Sequence, residues 1–129
     1  MDMIGGEAPV LIVDDDPLAR ELLTAVLAGC GVSRVLSAGD GEAALAVLAQ
    51  ATPPPALIIS DIDMPRLDGW SLARRVRMGA VEACREVPIV MLTANNSDRN
   101  QQKAAIHKIT AYLVKPPTPD AVKGILSSL

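Results

Sequence analysis

Leu57-Ile58-Ile59-Ser60-Asp61-Ile62-Asp63-Met64-Pro65-Arg66-Leu67-Asp68-Gly69 is the stretch around which the chain is organised. A short apolar run ends in an acid. A second acid follows two residues on, and a proline and a glycine then turn the chain. A run of this length, rich in β-branched residues and preceded by Pro53-Pro54-Pro55, reads as a buried strand. Asp61 therefore falls where a strand leaves its sheet, at the carboxyl end. In open α/β sheets that is the edge where ligands bind.

Working outward, Val10-Leu11-Ile12-Val13 is a second continuous apolar run, as expected of a strand covered on both faces of a parallel sheet. It ends in Asp14-Asp15-Asp16. Pro17 then opens a helix, a favourable first-turn position for proline. Leu18, Leu22 and Val26, with Leu23 and Leu27, give its apolar stripe, and Gly29 to Gly31 closes it. Arg34 to Ala38 is a third strand, followed by a Gly39-Asp40-Gly41 turn. Glu42 to Gln50 is a helix with Leu45 and Leu48 facing in. Beyond Asp61, Asp68 caps the next helix, which runs through Trp70, Ala73, Val76 and Arg77. Gly79 to Glu86 gives no clear pattern. Pro88 to Leu92 is the fourth strand, running into Thr93-Ala94. Asn95 to Lys108 reads as a weak helix, with Ala104, Ala105, Ile106 and Ile109 as its apolar face. Ala111 to Val114 is the last strand, running into Lys115-Pro116-Pro117. Thr118 caps a final helix in which Ala121, Val122, Ile125, Leu126 and Leu129 pack inward.

Five strand–helix units predict an α/β domain over residues 10–129, after a loose tail over residues 1–9. Strand–helix alternation implies right-handed crossovers and a doubly wound parallel sheet with helices on both faces. In the flavodoxin-like strand order 2-1-3-4-5, the ends of strands 1 and 3 meet at the switch point. Asp14, Asp15 and Asp61 would gather there, with Thr93 and Lys115 on the same edge at the ends of strands 4 and 5.

Composition narrows the function. The 129 residues fit one domain with a real core. Half are hydrophobic, yet there is one Trp, one Tyr and no Phe, so the core must be aliphatic. The net charge of −3, with no basic stripe, argues against direct binding to nucleic acid or to an anionic membrane surface. No apolar run is long enough to span a bilayer, and the first residues lack the layout of a secretion signal. The expected location is cytoplasmic, where Cys30 and Cys84, with no metal or redox spacing, are two reduced thiols.

Carboxylates crowded at one sheet edge repel one another, and a hard divalent cation resolves the conflict. Mg²⁺ takes oxygen ligands and typically uses one or two carboxylates with phosphate oxygens. Asp15 and Asp61 are the expected direct carboxylate ligands, the Asp63 carbonyl a third ligand, and Asp14 a ligand through water. A carboxylate can also attack phosphorus to give an aspartyl phosphate. Catalysis of that step is positioning and charge neutralisation. The Lys115 ammonium suits one phosphoryl oxygen. The Thr93 hydroxyl and Ala94 backbone N–H suit another.

Four motifs in order carry a resemblance over essentially the whole chain, from Val10 to Leu129. They are Asp14-Asp15, Asp61-Ile62-Asp63-Met64-Pro65 with Asp68-Gly69, Leu92-Thr93-Ala94, and Tyr112-Leu113-Val114-Lys115-Pro116. Each stands at a predicted strand end. Together they resemble the receiver domain of two-component response regulators, the CheY-like family. The resemblance implies Asp61 as phosphoacceptor, Asp14 and Asp15 as Mg²⁺ ligands, Lys115 as partner of the phosphoryl group, and Thr93 as its sensor. It implies that Tyr112 turns inward as the signal is passed, reshaping the face of the fourth helix, fifth strand and fifth helix. It implies a sensor histidine kinase or a histidine phosphotransfer protein as donor, and a downstream protein at that face. The domain would phosphorylate and dephosphorylate itself without being a turnover enzyme. A cis bond before Pro116 is expected.

The sequence departs from the family pattern in three places. Lys108-Ile109 stands where Gly-Ala is common, so the fourth helix is expected to end differently, because a left-handed non-glycine residue costs on the order of 1 kcal/mol. Pro117 replaces an aromatic. Asp63 and Asn95 occupy the positions that tune phosphate lifetime in the family.

Blander readings exist for each residue. Asp61 can cap a turn, Asp16 can cap the first helix, and Tyr112 and Trp70 can be packing residues. His107 reads as exposed and inert. Two other function classes fit parts of the pattern. A receiver-like binding module would never be phosphorylated, but it leaves the intact acids and Lys115 without a purpose. Asp61-x-Asp63 also resembles the opening motif of haloacid-dehalogenase-type phosphatases. Those enzymes carry the motif on their first strand and need a larger chain with later acids, whereas here an acid pair comes earlier and the chain stops soon after Lys115.

Overall fold

The computed structural model describes residues 8–94 and 100–129. Strands and helices alternate along it: β1 Val10–Val13, α1 Pro17–Gly29, β2 Val35–Ala38, α2 Gly41–Gln50, β3 Leu57–Asp61, α3 Gly69–Arg77, β4 Ile89–Thr93, α4 Gln101–Ile106, β5 Ala111–Val114 and α5 Pro119–Ser128. A 3₁₀ turn, Glu82–Cys84, occupies the unpatterned stretch before β4. The five strands among the described residues form one parallel sheet in the order β2-β1-β3-β4-β5, as expected.

Side chains alternate across a strand, so each inner strand feeds two cores. Leu11, Val13, Ile58 and Met91 face one side, against Ala44 and Leu48 of α2 and Leu72, Ala73 and Val76 of α3. Val10, Ile12, Leu57, Ile59, Val90 and Leu92 face the other, against Leu23 and Leu27 of α1 and Val122 of α5. Burying each large aliphatic side chain stabilises the fold by roughly 1.5–3 kcal/mol, which lets a core with almost no aromatics suffice. β1, β3 and β4 are buried along their whole length, whereas the edge strands β2 and β5 are partly exposed.

Each described helix starts on a side-chain cap. Asp16, Asp40, Asp68, Asn100 and Thr118 accept the backbone N–H of Leu18, Ala43, Ser71, Lys103 and Ala121 in turn. Such a cap is worth about 1 kcal/mol. Here the caps also fix how each helix leaves the carboxyl edge of the sheet. Among the described residues no helix is long and apolar enough to cross a membrane.

The helix faces depart from expectation in four places. In α1, Leu18 and Leu22 point outward, 60% and 57% exposed, while Leu23 and Leu27 are buried. One residue is about 100° of helix, and the Leu23–Leu27 row is the one turned to the sheet. The fourth helix has six residues, and Ala105 and Ile106 on it are exposed, Ile106 at 71%. Only Ala104 and Ile109 of its expected apolar face are partly covered. In α5, Ala121 and Leu129 are exposed, because Val122, Ile125 and Leu126 already fill the contact with the sheet. Residues 1–7 of the expected tail and 95–99 of the expected fourth helix lie outside the described residues.

The end of α4 is the fourth departure. Lys108 itself takes the left-handed conformation, with φ +54°. The Arg77 guanidinium holds it there. Nε donates to the His107 carbonyl at 2.9 Å and Nη2 to the Lys108 carbonyl at 3.1 Å. Nη1 donates to the carbonyls of Arg85 and Val87 at 2.9 and 2.7 Å. One side chain from α3 thus ties the end of α4 to the loop entering β4.

Replacing Arg77 with Ala is expected to destabilise the fold by about 2–3 kcal/mol, the range for losing charge-assisted hydrogen bonds. Urea denaturation of parent and variant measures this directly. A midpoint unchanged from the parent would mean that water satisfies those carbonyls equally well.

Candidate functional site

Parallel pairing of β1 with β3 sets Val13 opposite Ser60. The next residues, Asp14 and Asp61, therefore emerge side by side at the carboxyl edge. Asp14 is 1% exposed and Asp61 8%, while Asp15 is exposed. Carboxylate oxygens of Asp14, Asp15 and Asp61 all lie within 4.8 Å of one another. Asp16 turns away to cap α1.

The backbone here is tightly held. The Asp14 N–H donates to the Ala38 carbonyl at 3.1 Å, which extends the β1–β2 ladder. Asp14 Oδ1 accepts the Asp16 N–H at 2.9 Å, and Arg20 Nη1 donates to the Asp14 carbonyl at 2.6 Å. Asp61 Oδ1 accepts its neighbour's N–H, from Ile62, at 2.9 Å.

Lys115 reaches into this cluster from the end of β5. Its backbone N–H donates to the Thr93 carbonyl at 2.8 Å, and the bond to Pro116 is cis, as expected. Its Nζ lies 2.9 Å from Asp61 Oδ1 and 3.4 Å from Asp14 Oδ2. Burial pushes the Asp61 carboxyl above its ordinary range. The Lys115 ammonium opposes that rise and the Asp14 charge adds to it. For Lys115, burial works to lower the ammonium's pKa, but Asp61 and Asp14 outweigh it and the net shift is upward. The resting site is thus a cation shared by two carboxylates in partial seclusion from water.

Of the other predicted residues, Thr93 closes β4 and is 2% exposed, and Ala94 follows it into solvent. Asp63 is exposed in the loop after β3. Asn95 lies outside the described residues. Tyr112 is half-buried on β5, away from the carboxylates. Its hydroxyl accepts the Asn100 N–H at 2.9 Å and donates to the Asn100 carbonyl at 3.0 Å, at the start of α4. Trp70 stands beside it, ring centroids 6.3 Å apart and edge to face.

His107 is a correction. It is half-buried rather than exposed, with its ring 5.9 Å from that of Trp70. Burial, and then the charges of Arg74, Lys103 and Arg77, lower its pKa and favour the neutral ring. Arg77 Nε also holds the His107 carbonyl at this end of α4.

Three residues at the site escaped the sequence reading. Arg20 grips Asp14 one helical turn into α1. Asp40 and Arg66 pair across the neck of the loop after β3, Nη2 to Oδ2 at 2.6 Å. Asp40 had a readable signal, since Gly-Asp-Gly before a helix is a capping pattern. Arg66 had none, since nothing local says that it takes φ +67°. Beside Lys115 opens a cavity of about 300 Å³ walled by Leu22, Leu23, Val26, Leu92 and Pro117.

Oxygen donors from three acids at one edge fit a hard divalent cation in type and spacing. A buried carboxylate held by a lysine, with a threonine on the neighbouring strand end, fits acceptance of a phosphoryl group.

Comparison with known proteins agrees with this geometry. The family model for the response regulator receiver domain matches residues 10–127. A probable chemotaxis protein CheY of Rhizobium etli is 32% identical over 126 residues, covering 98% of this chain and 95% of that protein. The structure of chemotaxis protein CheY4 of Vibrio cholerae superposes with a TM-score of 0.83 at 33% identity, covering 95% of this chain and 98% of that one. The receiver domain of a sensor histidine kinase of Pseudomonas aeruginosa, solved with a magnesium ion coordinated in its active site cleft, gives 0.80 at 30% identity, covering 95% and 97%. The chain spans only 24% of a two-component response regulator-like protein and 17% of a two-component response regulator, both of Arabidopsis thaliana, and 12% of a sensor histidine kinase of Salmonella typhi. From its matched family model and its full-length likeness to a CheY protein, the chain belongs to the response regulator receiver domain family.

Proposed function

We propose that Asp61 accepts a phosphoryl group from a phosphohistidine of a sensor kinase or phosphotransfer protein, in an Mg²⁺-dependent reaction. The observation that carries this reading is the shared ammonium: Lys115 Nζ lies 2.9 Å from Asp61 and 3.4 Å from Asp14 at the sheet's carboxyl edge. A structural ion pair would need one carboxylate. A second buried acid and a third exposed one beside it make a poor cap but a good cation cradle.

Asp15 and Asp61 would hold the cation directly, with the Asp63 carbonyl, and Asp14 through water. Bound Mg²⁺ supplies neutralisation of one phosphoryl oxygen. The Asp61 oxygen forms the new P–O bond as the donor's P–N bond breaks. Lys115 leaves the carboxylates to pair with a second oxygen, and the Thr93 hydroxyl and Ala94 N–H meet the third. Water later cleaves the acyl phosphate, so the domain resets without turning over a substrate. Thr93 and Tyr112 pass the change to the α4-β5-α5 face, where a downstream protein binds. This is a population shift between two states. The receiver unit spans residues 10–129, and the reaction takes place in the cytoplasm, consistent with free thiols at Cys30 and Cys84.

Intact-mass spectrometry after incubation with acetyl phosphate tests the chemistry. The parent is expected to gain one phosphate only with Mg²⁺ present, and Asp61→Asn to gain none. Labelling retained in Asp61→Asn would remove Asp61 from the role. A folded parent that never gains mass would favour the binding-module reading instead.

Lys115→Ala separates chemistry from signalling. The carboxylates remain, so Mg²⁺ binding by calorimetry is expected to persist. The change in Trp70 emission on phosphorylation, which reports Tyr112 moving beside it, is expected to disappear. A parent-like emission change in this variant would deny Lys115 its part in the switch.

A further inference from the structure

The loop between Asp61 and α3 carries Asp63, and contacts on both sides of Asp63 hold it in place. At its far end the Gly69 N–H donates to the Ile62 carbonyl at 2.8 Å. A side chain at Gly69 would strike the Asp61 carbonyl, so α3 presses directly on the strand end. In the middle of the loop the Leu67 N–H donates back to the Pro65 carbonyl at 2.8 Å. The three-residue turn so formed centres on Arg66 at φ +67°, a conformation that side chains rarely adopt.

Two contacts to the start of α2 hold that turn. Leu67, 8% exposed, accepts the Gly41 N–H at 3.1 Å through its carbonyl. A Cβ on Gly41 would lie 2.7 Å from that of Leu67, so only glycine lets the loop come this close. Arg66 Nε and Nη2 then both donate to Asp40 Oδ2, at 2.8 and 2.6 Å. Asp40 is 6% exposed, and its other oxygen accepts the Ala43 N–H at 2.8 Å. One carboxylate therefore caps α2 and anchors the loop beyond the strand that ends in Asp61. The Arg66 side chain is 66% exposed, and an exposed ion pair does little for stability, but this one aims two donors at one oxygen of a buried carboxylate whose direction the cap has already fixed.

We propose that the Asp40–Arg66 pair is a positioning device that orients the backbone around Asp63 for the divalent cation held by Asp15 and Asp61, and so sets cation affinity. The inference rests on the metal reading given above and deepens it. Asp40 and Arg66 touch neither cation nor phosphoryl group. They act through the loop.

Calorimetric titration of the unphosphorylated protein with MgCl₂ tests it. Arg66→Ala is expected to weaken Mg²⁺ binding about tenfold, the lower end of the loss seen when a group orienting a metal ligand is removed. Arg66→Lys, which keeps the charge without the two-pronged donor, should recover part of it. Asp40→Asn keeps an oxygen to cap Ala43 and loses the charge, so it preserves the helix start and should weaken binding likewise. In phosphorylation by acetyl phosphate the change should appear as a higher Mg²⁺ requirement more than as a lower maximal rate. Parent-like Mg²⁺ affinity in the folded Arg66→Ala and Asp40→Asn variants would overturn the positioning role alone. A parent protein that binds no Mg²⁺ would overturn the metal reading and this role with it.

Discussion

Asp14 and Asp61 place two carboxylates side by side at less than a tenth exposure, and the Lys115 ammonium stands between them. Two like charges withdrawn from water destabilise a fold unless a cation offsets them. That need reaches far along the chain. It requires β1 and β3 to be neighbours and β5 to bring its end to the same edge. In the proposed reading the partial seclusion of the cluster matters, because a fully buried ammonium could not be exchanged for a phosphoryl partner and recovered. A site proposed to trade one ionic arrangement for another works best where neither is locked in.

The rest of the sheet edge offers a path by which such a trade could be felt. Lys115 hangs by its N–H on the Thr93 carbonyl, and β4 pairs with β5 so that Met91 faces Tyr112. Tyr112 in turn holds the first residue before α4 through two hydrogen bonds. α4 has no fully buried residue and six residues in all. A helix with so little buried area belongs to the low-stability end of a fold, where functional motion is found. In the proposed reading, the strongly packed β1, β3 and β4 hold the chemistry still while the weakly packed α4 moves.

The same contrast decides what was legible. β1, β3 and β4 are long apolar runs because both faces are covered, and their ends could be read directly, Asp14, Asp61 and Thr93 among them. The caps Asp16, Asp68 and Thr118 were equally plain, since a cap needs only its own residue type and a following helix. Which stripe of α1 faces the sheet was not readable, because Leu18 and Leu22 repeat at the same spacing as Leu23 and Leu27. The surplus leucines instead flank the cavity beside Lys115 or meet solvent. Arg77 and Arg66 escaped because their partners are backbone carbonyls and a capping acid far away in sequence. Neither leaves a periodic trace.

Among the described residues, Arg66 and Lys108 are the two non-glycine positions at positive φ. Each is held by an arginine: Arg66 by its own side chain on Asp40, Lys108 by Arg77 on the carbonyls around it. One lies in the loop beside the acids, the other at the end of α4. Glycine would adopt either conformation without help, but glycine would also leave it freely. A side-chain-bearing residue in the left-handed region persists only where its surroundings hold it there. Tethering such a residue with a guanidinium therefore gives a turn that is defined while the tether lasts and inclined to change when it is released. The chain places one such turn in the loop after Asp61 and the other at the end of α4; in the proposed reading they flank the route from Asp61 to the α4-β5-α5 face, where a definite resting shape and a ready alternative are both of use.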